Sequence, residues 1–218
     1  MGLTFYDCPP APSPRRARIA LLEKGAEFDT KIVNLAEGEH LCDAYKAINP
    51  TCTVPALTID SGETIGDNHG IIAWLDAAYP ENPLLGASPL EKAMVASWSA
   101  RCEIEGLLAI AEIVRNFAPQ MKGRALTGPV NYDQIPQLVE RGVARLSHFW
   151  GVLDERLEGR EFLATDSFSW ADVTALVAVD FSKVARQRPG DEYTNLWRWR
   201  KSIDERPSVS ATNVGAKV

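Results

Sequence analysis

Up to Pro80, the apolar positions switch repeatedly between a period of two and a period near that of a helix. Leu3 to Tyr6 is a short apolar run that reads as a strand. It stops at Cys8-Pro9-Pro10-Ala11-Pro12-Ser13-Pro14, where four prolines in six residues remove backbone donors and stiffen the loop. Arg15 to Gly25 reads as a helix, with Ser13 as its N-cap, Pro14 at its first position and Gly25 as its stop. Phe28 to Val33 reads as a second strand, and Leu41 to Ile48 as a short helix ended by Asn49-Pro50. Val54 to Asp60 alternates with period two. A turn at Asp60-Ser61-Gly62-Glu63 then leads into Thr64-Ile65, which predicts a hairpin. Ile71, Trp74, Leu75 and Ala78 share one helix face that ends near Tyr79-Pro80. The predicted order is β-α-β-α-β-β-α.

Beyond Pro80-Glu81-Asn82-Pro83 the strand signals vanish. Pro89 to Phe117 is one long helical pattern. Val139, Val143, Leu146, Trp150, Leu153 and Leu157 form a helical stripe. Ser169-Trp170-Ala171-Asp172 has the form of a capping box, and Val173, Val177, Phe181 and Val184 continue that helix's apolar face. A last helix spans Thr194 to Asp204, and residues 207–218 read as a loose tail. There is no internal repeat and no low-complexity segment. The chain therefore reads as α/β plus all-α: an α/β unit over residues 1–80, a linker over 81–88 and a helical unit over 89–218.

The 218 residues are 45% hydrophobic and 24% charged, an ordinary globular balance. Lys and Arg number 23 against 29 Asp and Glu, a net charge of −6 with no basic block, which argues against a nucleic-acid partner. No apolar run approaches the ~20 residues of a membrane span, so no membrane association is expected. The start of the chain lacks the features of a signal peptide, so the expected location is the cytoplasm. The four cysteines include no C-x-x-C pair, and the three histidines are scattered. Zinc-site, P-loop and G-x-S-x-G patterns are missing, and no metal is expected.

Four local patterns occur in order: Ser13-Pro14-Arg15-Arg16-Ala17-Arg18-Ile19-Ala20-Leu21 after a Pro-rich loop; Asn49 to Leu57, of the form N-P-x-x-x-V-P-A-L; Asp67 to Leu75, close to E-S-x-A-I-x-x-Y-L; and Ser169 to Asp172, of the form S-x-A-D. Together they cover almost the whole chain, which resembles the cytosolic glutathione S-transferases, particularly bacterial members. The resemblance implies a thioredoxin-like N-terminal domain, an all-helical C-terminal domain and a homodimer. Glutathione would be the co-substrate and bind the first domain. A hydrophobic electrophile would lie in the cleft between the two domains.

The resemblance also implies site residues. The Val54-Pro55 bond would be cis, turning the Val54 backbone outward to pair with the cysteinyl part of glutathione like an added strand, with Thr53 and Pro55 flanking it. Asp67 and Asn68 open a helix whose N-terminus favours a carboxylate. Asn68 would help to receive the γ-glutamyl carboxylate, and Asp67 would pair with the ammonium, although Asp is one methylene shorter than the family's Glu. Both residues also suit plain capping. His40, nine residues before Asn49, matches a polar position for the glycine carboxylate. His69 faces solvent or a dimer partner, and His148 a helix surface.

Activation of the thiol has a definable cost. Lowering a cysteine-like pKa from about 8.5 to about 6.5 takes roughly 2.7 kcal/mol in favour of the thiolate. A helix N-terminus supplies about 0.3–1 kcal/mol, rising to ~2 when partly buried. A hydrogen bond to a charged group supplies about 1.5–3. One donor above the first helix is thus the minimal machinery, without a general base. By the resemblance, the position of the zeta- and tau-like Ser or omega-like Cys is Ala11, which is inert. The position of the beta-class Cys is Ser13, the first candidate for donor. Tyr6 is the second and needs a shift of one residue to align. Cys8 reads as a packed thiol.

Arg15, Arg16 and Arg18 read as a solvated face, or as the source of an ion pair across the domain boundary. Asp180 reads as accepting a local hydrogen bond. For the second substrate, Trp98, Arg101, Glu105 and Leu108 step by three, four and three along the long helix. The reading is a glutathione transferase. Two alternatives stay open: a glutathione-dependent isomerase or peroxidase, and a non-catalytic protein of the same fold that binds a ligand or a partner, which Ala11 keeps in play.

Overall fold

The computed structural model describes residues 2–213. These fall into two compact units. The first takes in the described residues through Pro83, together with Thr127–Val130 and the described residues from Ala211 onward. The second takes in Leu84–Leu126 and Asn131–Ser210.

In the first unit, β1 (Leu3–Asp7), α1 (Pro12–Glu23), β2 (Phe28–Ile32), α2 (Asp43–Lys46), β3 (Ala56–Thr58), β4 (Thr64–Ile65) and α3 (Asn68–Ala78) follow one another, as the alternating pattern predicts. The sheet order is β2-β1-β3-β4. β1 runs parallel to β2, with Leu3 opposite Phe28, and antiparallel to β3, with Phe5 opposite Leu57. A parallel pair needs a crossover, and α1 supplies it. Phe5, Ile19, Leu21, Leu57, Ile71 and Leu75 are fully buried. α1 and α3 are fastened at both ends. At their starts, Asn68 Nδ2 donates to the Ser13 carbonyl at 3.1 Å. At their ends, the buried Lys24 ammonium pairs with Asp76 at 2.7 Å and donates to the Tyr79 and Asn82 carbonyls.

The start of α1 corrects the sequence reading. Its N-cap is Ala11, and Pro12, not Pro14, is the first helical residue. Proline's fixed φ suits the first turn, whose N–H groups lack intrahelical partners in any case, so Pro12 and Pro14 are both accommodated there. Ser13 lies within that turn and caps nothing. The arginines that follow are not a solvated face either. Arg15 and Arg16 are buried. Arg15 donates to Asn213 Oδ1 at 2.6 Å. Arg18 pairs with Asp7 and donates to the Pro9 carbonyl, which clamps the proline loop from within its own unit. Burial pushes the Asp7 carboxyl above its usual range, and the Arg18 charge and hydrogen bond oppose that rise.

In the second unit, α4 (Pro89–Arg101) starts on a Ser88–Glu91 capping box. The pattern from Pro89 to Phe117 is helical throughout, but Cys102–Leu107 is a π-helical stretch before α5 (Leu108–Phe117). Gly106 permits close packing there, since a Cβ would fall 2.9 Å from Phe149 Cε1 and 3.1 Å from Ala178 Cβ. α6 (Gln137–Arg156), α7 (Trp170–Phe181), α8 (Thr194–Ile203) and α9 (Pro207–Ser210) complete the unit. Every residue of α7 from Trp170 to Asp180 is buried, so it is a central helix with no polar side. It ends at Phe181, and the 3₁₀ turn over Ser182–Ala185 leaves Val184 exposed rather than on the apolar face. Asp180 accepts two hydrogen bonds from Arg200, at 2.7 and 3.0 Å, forming a buried ion pair. The expected tail is also corrected in part: Ser208, Val209 and Thr212 are buried, whereas residues 214–218 lie outside the described residues.

Candidate functional site

The proline loop decides what the mouth of α1 can offer an anion. A helix normally presents several unpaired N–H groups at its start. Here Pro12 and Pro14 carry none, and the Arg15 N–H reaches the Ala11 carbonyl at 3.4 Å. The Ser13 N–H is left as the open amide of that turn. Beside it, the half-buried Ser13 hydroxyl meets no partner among the described residues. Both donors therefore belong to one residue.

The loop from Asn49 to Pro55 is held from beneath. Buried Asn49 donates through Nδ2 to the Thr53 carbonyl at 2.9 Å and the Gly66 carbonyl at 3.3 Å. Its Oδ1 accepts from the Thr51 N–H and hydroxyl at 3.2 and 2.8 Å. The Tyr45 hydroxyl adds a bond to the Thr53 carbonyl at 2.7 Å, and burial pushes the Tyr45 pKa up to about 12, so the phenol remains a donor. The Val54–Pro55 bond is cis, as the resemblance implies. The Val54 N–H and C=O have no partner among the described residues. Sequence reasoning quoted the motif containing Asn49 but gave that residue no role. The signal available was an Asn just before Pro at the head of the loop.

Gly66 completes this latch. A Cβ there would lie 2.6 Å from Asn49 Oδ1, and Asn49 cannot retreat without giving up its bonds. Gly66→Ala is expected to lower stability by about 1–3 kcal/mol, as overpacking of a fixed site does. A urea unfolding midpoint unchanged by the substitution would contradict this.

Asp67 is the N-cap of α3. Its Oδ1 accepts the His69 and Gly70 amides at 2.8 and 2.9 Å. Oδ2 and the Asn68 N–H have no partner among the described residues. Asn68 is buried, tied to Ser13 through Nδ2, with Oδ1 buried and unpartnered among the described residues. The structure thus joins Ser13 to Asn68 directly. His40 is half-buried on a 3₁₀ turn over Glu39–Leu41.

Tyr6, the second donor candidate, ends β1. Adjacent strand residues point to opposite faces, so Tyr6 lies on the face away from Phe5. It packs with Cys8, Val33, Tyr45, Val54 and Ala56, in a buried cluster against which Ala11, the N-cap of α1, also packs. Cys8 is packed there too, and burial raises its thiol pKa. In the helical unit, buried Trp98 has the Arg101 and Arg156 guanidiniums 4.9 and 5.1 Å from its ring centroid. Arg101 is bidentate to Glu105 at 3.0 and 3.3 Å, a bond that raises the Arg101 pKa. Leu108, past the π-helical stretch, is exposed.

Two family models match the chain: "Glutathione S-transferase, N-terminal domain" over residues 11–78, and "Glutathione S-transferase, C-terminal domain" over residues 118–207. Glutathione S-transferase 2 of Saccharomyces cerevisiae is 32% identical over 210 residues, which span 95% of this chain and 88% of the yeast protein. The crystal structure of Gtt2 from Saccharomyces cerevisiae matches with a TM-score of 0.86 at 31% identity, covering 96% of this chain and 99% of that one. A shorter likeness, 43% identical over 83 residues, joins 37% of this chain to 39% of a maleylacetoacetate isomerase from Pseudomonas aeruginosa.

Proposed function

The chain belongs to the glutathione S-transferase family, and from that premise we propose that it ionises bound glutathione at Ser13 and directs the thiolate onto an electrophilic small molecule. The thiol proton leaves to solvent, the sulfur forms a bond to the electrophilic carbon, and the leaving group departs with its electron pair. The protein acts by orientation and by stabilising the anion, with the Ser13 hydroxyl and N–H as donors. Val54 offers its backbone N–H and C=O to the cysteinyl unit, between Thr53 and Pro55. The Asn68 end of α3 receives the γ-glutamyl carboxylate, Asp67 Oδ2 pairs with the ammonium, and His40 meets the glycine carboxylate. Trp98, Arg101, Glu105 and Leu108 contribute to the electrophile's site. Residues 1–80 act as the glutathione domain and 89–218 as the electrophile domain, in a cytoplasmic homodimer.

The observation that carries this reading is the set of open polar groups on Ser13, Val54, Asp67 and Asn68, whose complements are those of a peptide with a thiol and a zwitterionic end. An isomerase reading has one support, the likeness to a maleylacetoacetate isomerase. It differs in leaving glutathione unconsumed, which a thiol count during turnover distinguishes.

Asp67→Asn tests the binding mode. Asn caps as well as Asp, so α3 keeps its cap while the charge facing the ammonium is lost. Calorimetry should show glutathione binding weakened about tenfold, the scale of a charge-assisted hydrogen bond, with the melting temperature nearly unchanged. Equal affinity in the two proteins would remove Asp67 from the site.

A further inference from the structure

Arg115, in the last turn of α5, is held at both ends. Gln134 Nε2 donates to its carbonyl at 2.8 Å, and its own Nη1 donates to the Arg124 carbonyl at 2.8 Å. The segment it grips is tied in turn. Asn116 Oδ1 accepts the Ile135 N–H at 2.8 Å, the Tyr132 N–H reaches the Gly123 carbonyl and the Ala125 N–H reaches the Tyr132 carbonyl, both at 3.1 Å. Arg124 and Tyr132 therefore stand opposite one another in a short bridge. A planar guanidinium fixed at one nitrogen presents its remaining N–H groups in a set direction.

The protein does not balance the charge of that guanidinium. Arg115 is half-buried, yet it has no carboxylate partner among the described residues. Glu112, one turn earlier on α5, is taken by Arg141 and Arg145 at 2.5 and 3.0 Å. The charged neighbour that acts on Arg115 is Arg124, of the same sign. Burial lowers the Arg115 pKa and Arg124 lowers it further. Residues 115–132 hold Arg115, Lys122 and Arg124 and no Asp or Glu, in a chain whose net charge is −6. The open side of the Arg115 fork is not sealed from solvent. A fixed, partly desolvated cation beside a like charge lacks an anion, and a fork of parallel N–H groups matches a carboxylate. Tyr132 and Leu126, at and near the bridge, are exposed, which suits an apolar body attached to that anion.

We propose that Arg115 sets substrate specificity: the electrophile this protein takes carries a carboxylate, which accepts from the open N–H groups of Arg115. The proposal rests on the transferase reading, in which residues 89–218 act as the electrophile domain, and it names the substrate class.

The test is calorimetric titration of the intact protein, without glutathione, using 4-chloro-3-nitrobenzoate and its uncharged primary amide. The parent should bind the benzoate at least about tenfold more tightly than the amide. Arg115→Gln should weaken benzoate binding about tenfold and leave amide binding unchanged, which also shows that the fold is kept. Arg115→Lys keeps the charge but loses the fork, and should fall between the two. With glutathione added, Arg115→Gln should raise KM for the benzoate about tenfold with kcat little changed, the mark of a contact made equally in the ground and transition states. Equal binding of benzoate and amide by the parent would overturn the proposal, whether or not any variant folds. A preference for the benzoate that survives in Arg115→Gln would overturn it too. The titration needs no turnover, so a preference for the benzoate that depends on Arg115, with no thioether formed, would support the carboxylate site and count against the transferase reading instead.

Discussion

Asp172→Ala should destabilise the helical unit by about 3–5 kcal/mol, a large fraction of the stability of an ordinary protein. Asp172 is completely buried in α7. Its Oδ1 accepts from the Leu163 N–H at 2.8 Å and the Trp199 indole at 3.1 Å, and its Oδ2 accepts from the Ser169 N–H at 3.1 Å and hydroxyl at 2.9 Å. One carboxylate therefore caps α7, anchors the segment before it and fixes α8. Burial pushes its pKa up while those donors pull it down. Alanine leaves donors stranded without water, and an orphaned buried group costs about 1–3 kcal/mol. Asp172→Asn keeps one acceptor oxygen but turns an NH2 group towards other donors, so it should cost roughly half as much and remain foldable. Urea midpoints of the two variants and the parent should fall in that order. A parent-like midpoint for Asp172→Ala would show that these bonds contribute little.

Ser13→Ala should raise the thiol pKa of bound glutathione by about 1–2 units, the equivalent of losing one hydrogen bond of about 1.5–3 kcal/mol to the thiolate. At neutral pH the thiolate fraction, and with it kcat/KM, should fall about 3- to 25-fold, the loss that a rise of about 1–2 units from about 6.5 produces. The fall should shrink as pH rises, because the thiol then ionises without help. Neighbouring amides cannot substitute, since the residues on either side are Pro12 and Pro14. Folding should be unaffected, because the Ser13 side chain caps nothing. Ser13→Thr, which keeps the hydroxyl, should retain most of the activity. A pH–rate profile that is the same for Ser13→Ala and the parent would pass the role to the backbone N–H alone.

The order of elements was readable because it follows from local periodicity. A period of two gives way to a helical period several times before Pro80 and never returns after it. The start of α1 misled for an equally local reason: Ser is the better cap, but Pro12 already suits the first helical position, so the turn begins before Ser13. The run Arg15, Arg16 and Arg18 reads in sequence as a solvated face or as the source of an ion pair across the domain boundary, because the partners that hold it come from elsewhere in the chain. Asp7 lies at the end of another element, and Asn213 lies 198 residues from Arg15. The Asn49–Gly66 latch is a contact of the same kind. Only the Asn-Pro at the head of its loop is visible in sequence, not the distant Gly66 carbonyl or the missing Cβ. The place of Tyr6 at the end of the first strand was visible. The face it takes, away from Phe5, appears only once β1 is known to be a strand paired on both sides.

The central claim is that glutathione docks on the first unit with its sulfur held as an anion over α1. Ultraviolet titration of thiolate absorbance in the complex of the unmodified protein with glutathione tests it most directly. The account predicts a midpoint about two units below that of free glutathione, near 6.5. A midpoint equal to that of the free tripeptide, measured with the protein saturated, would contradict it.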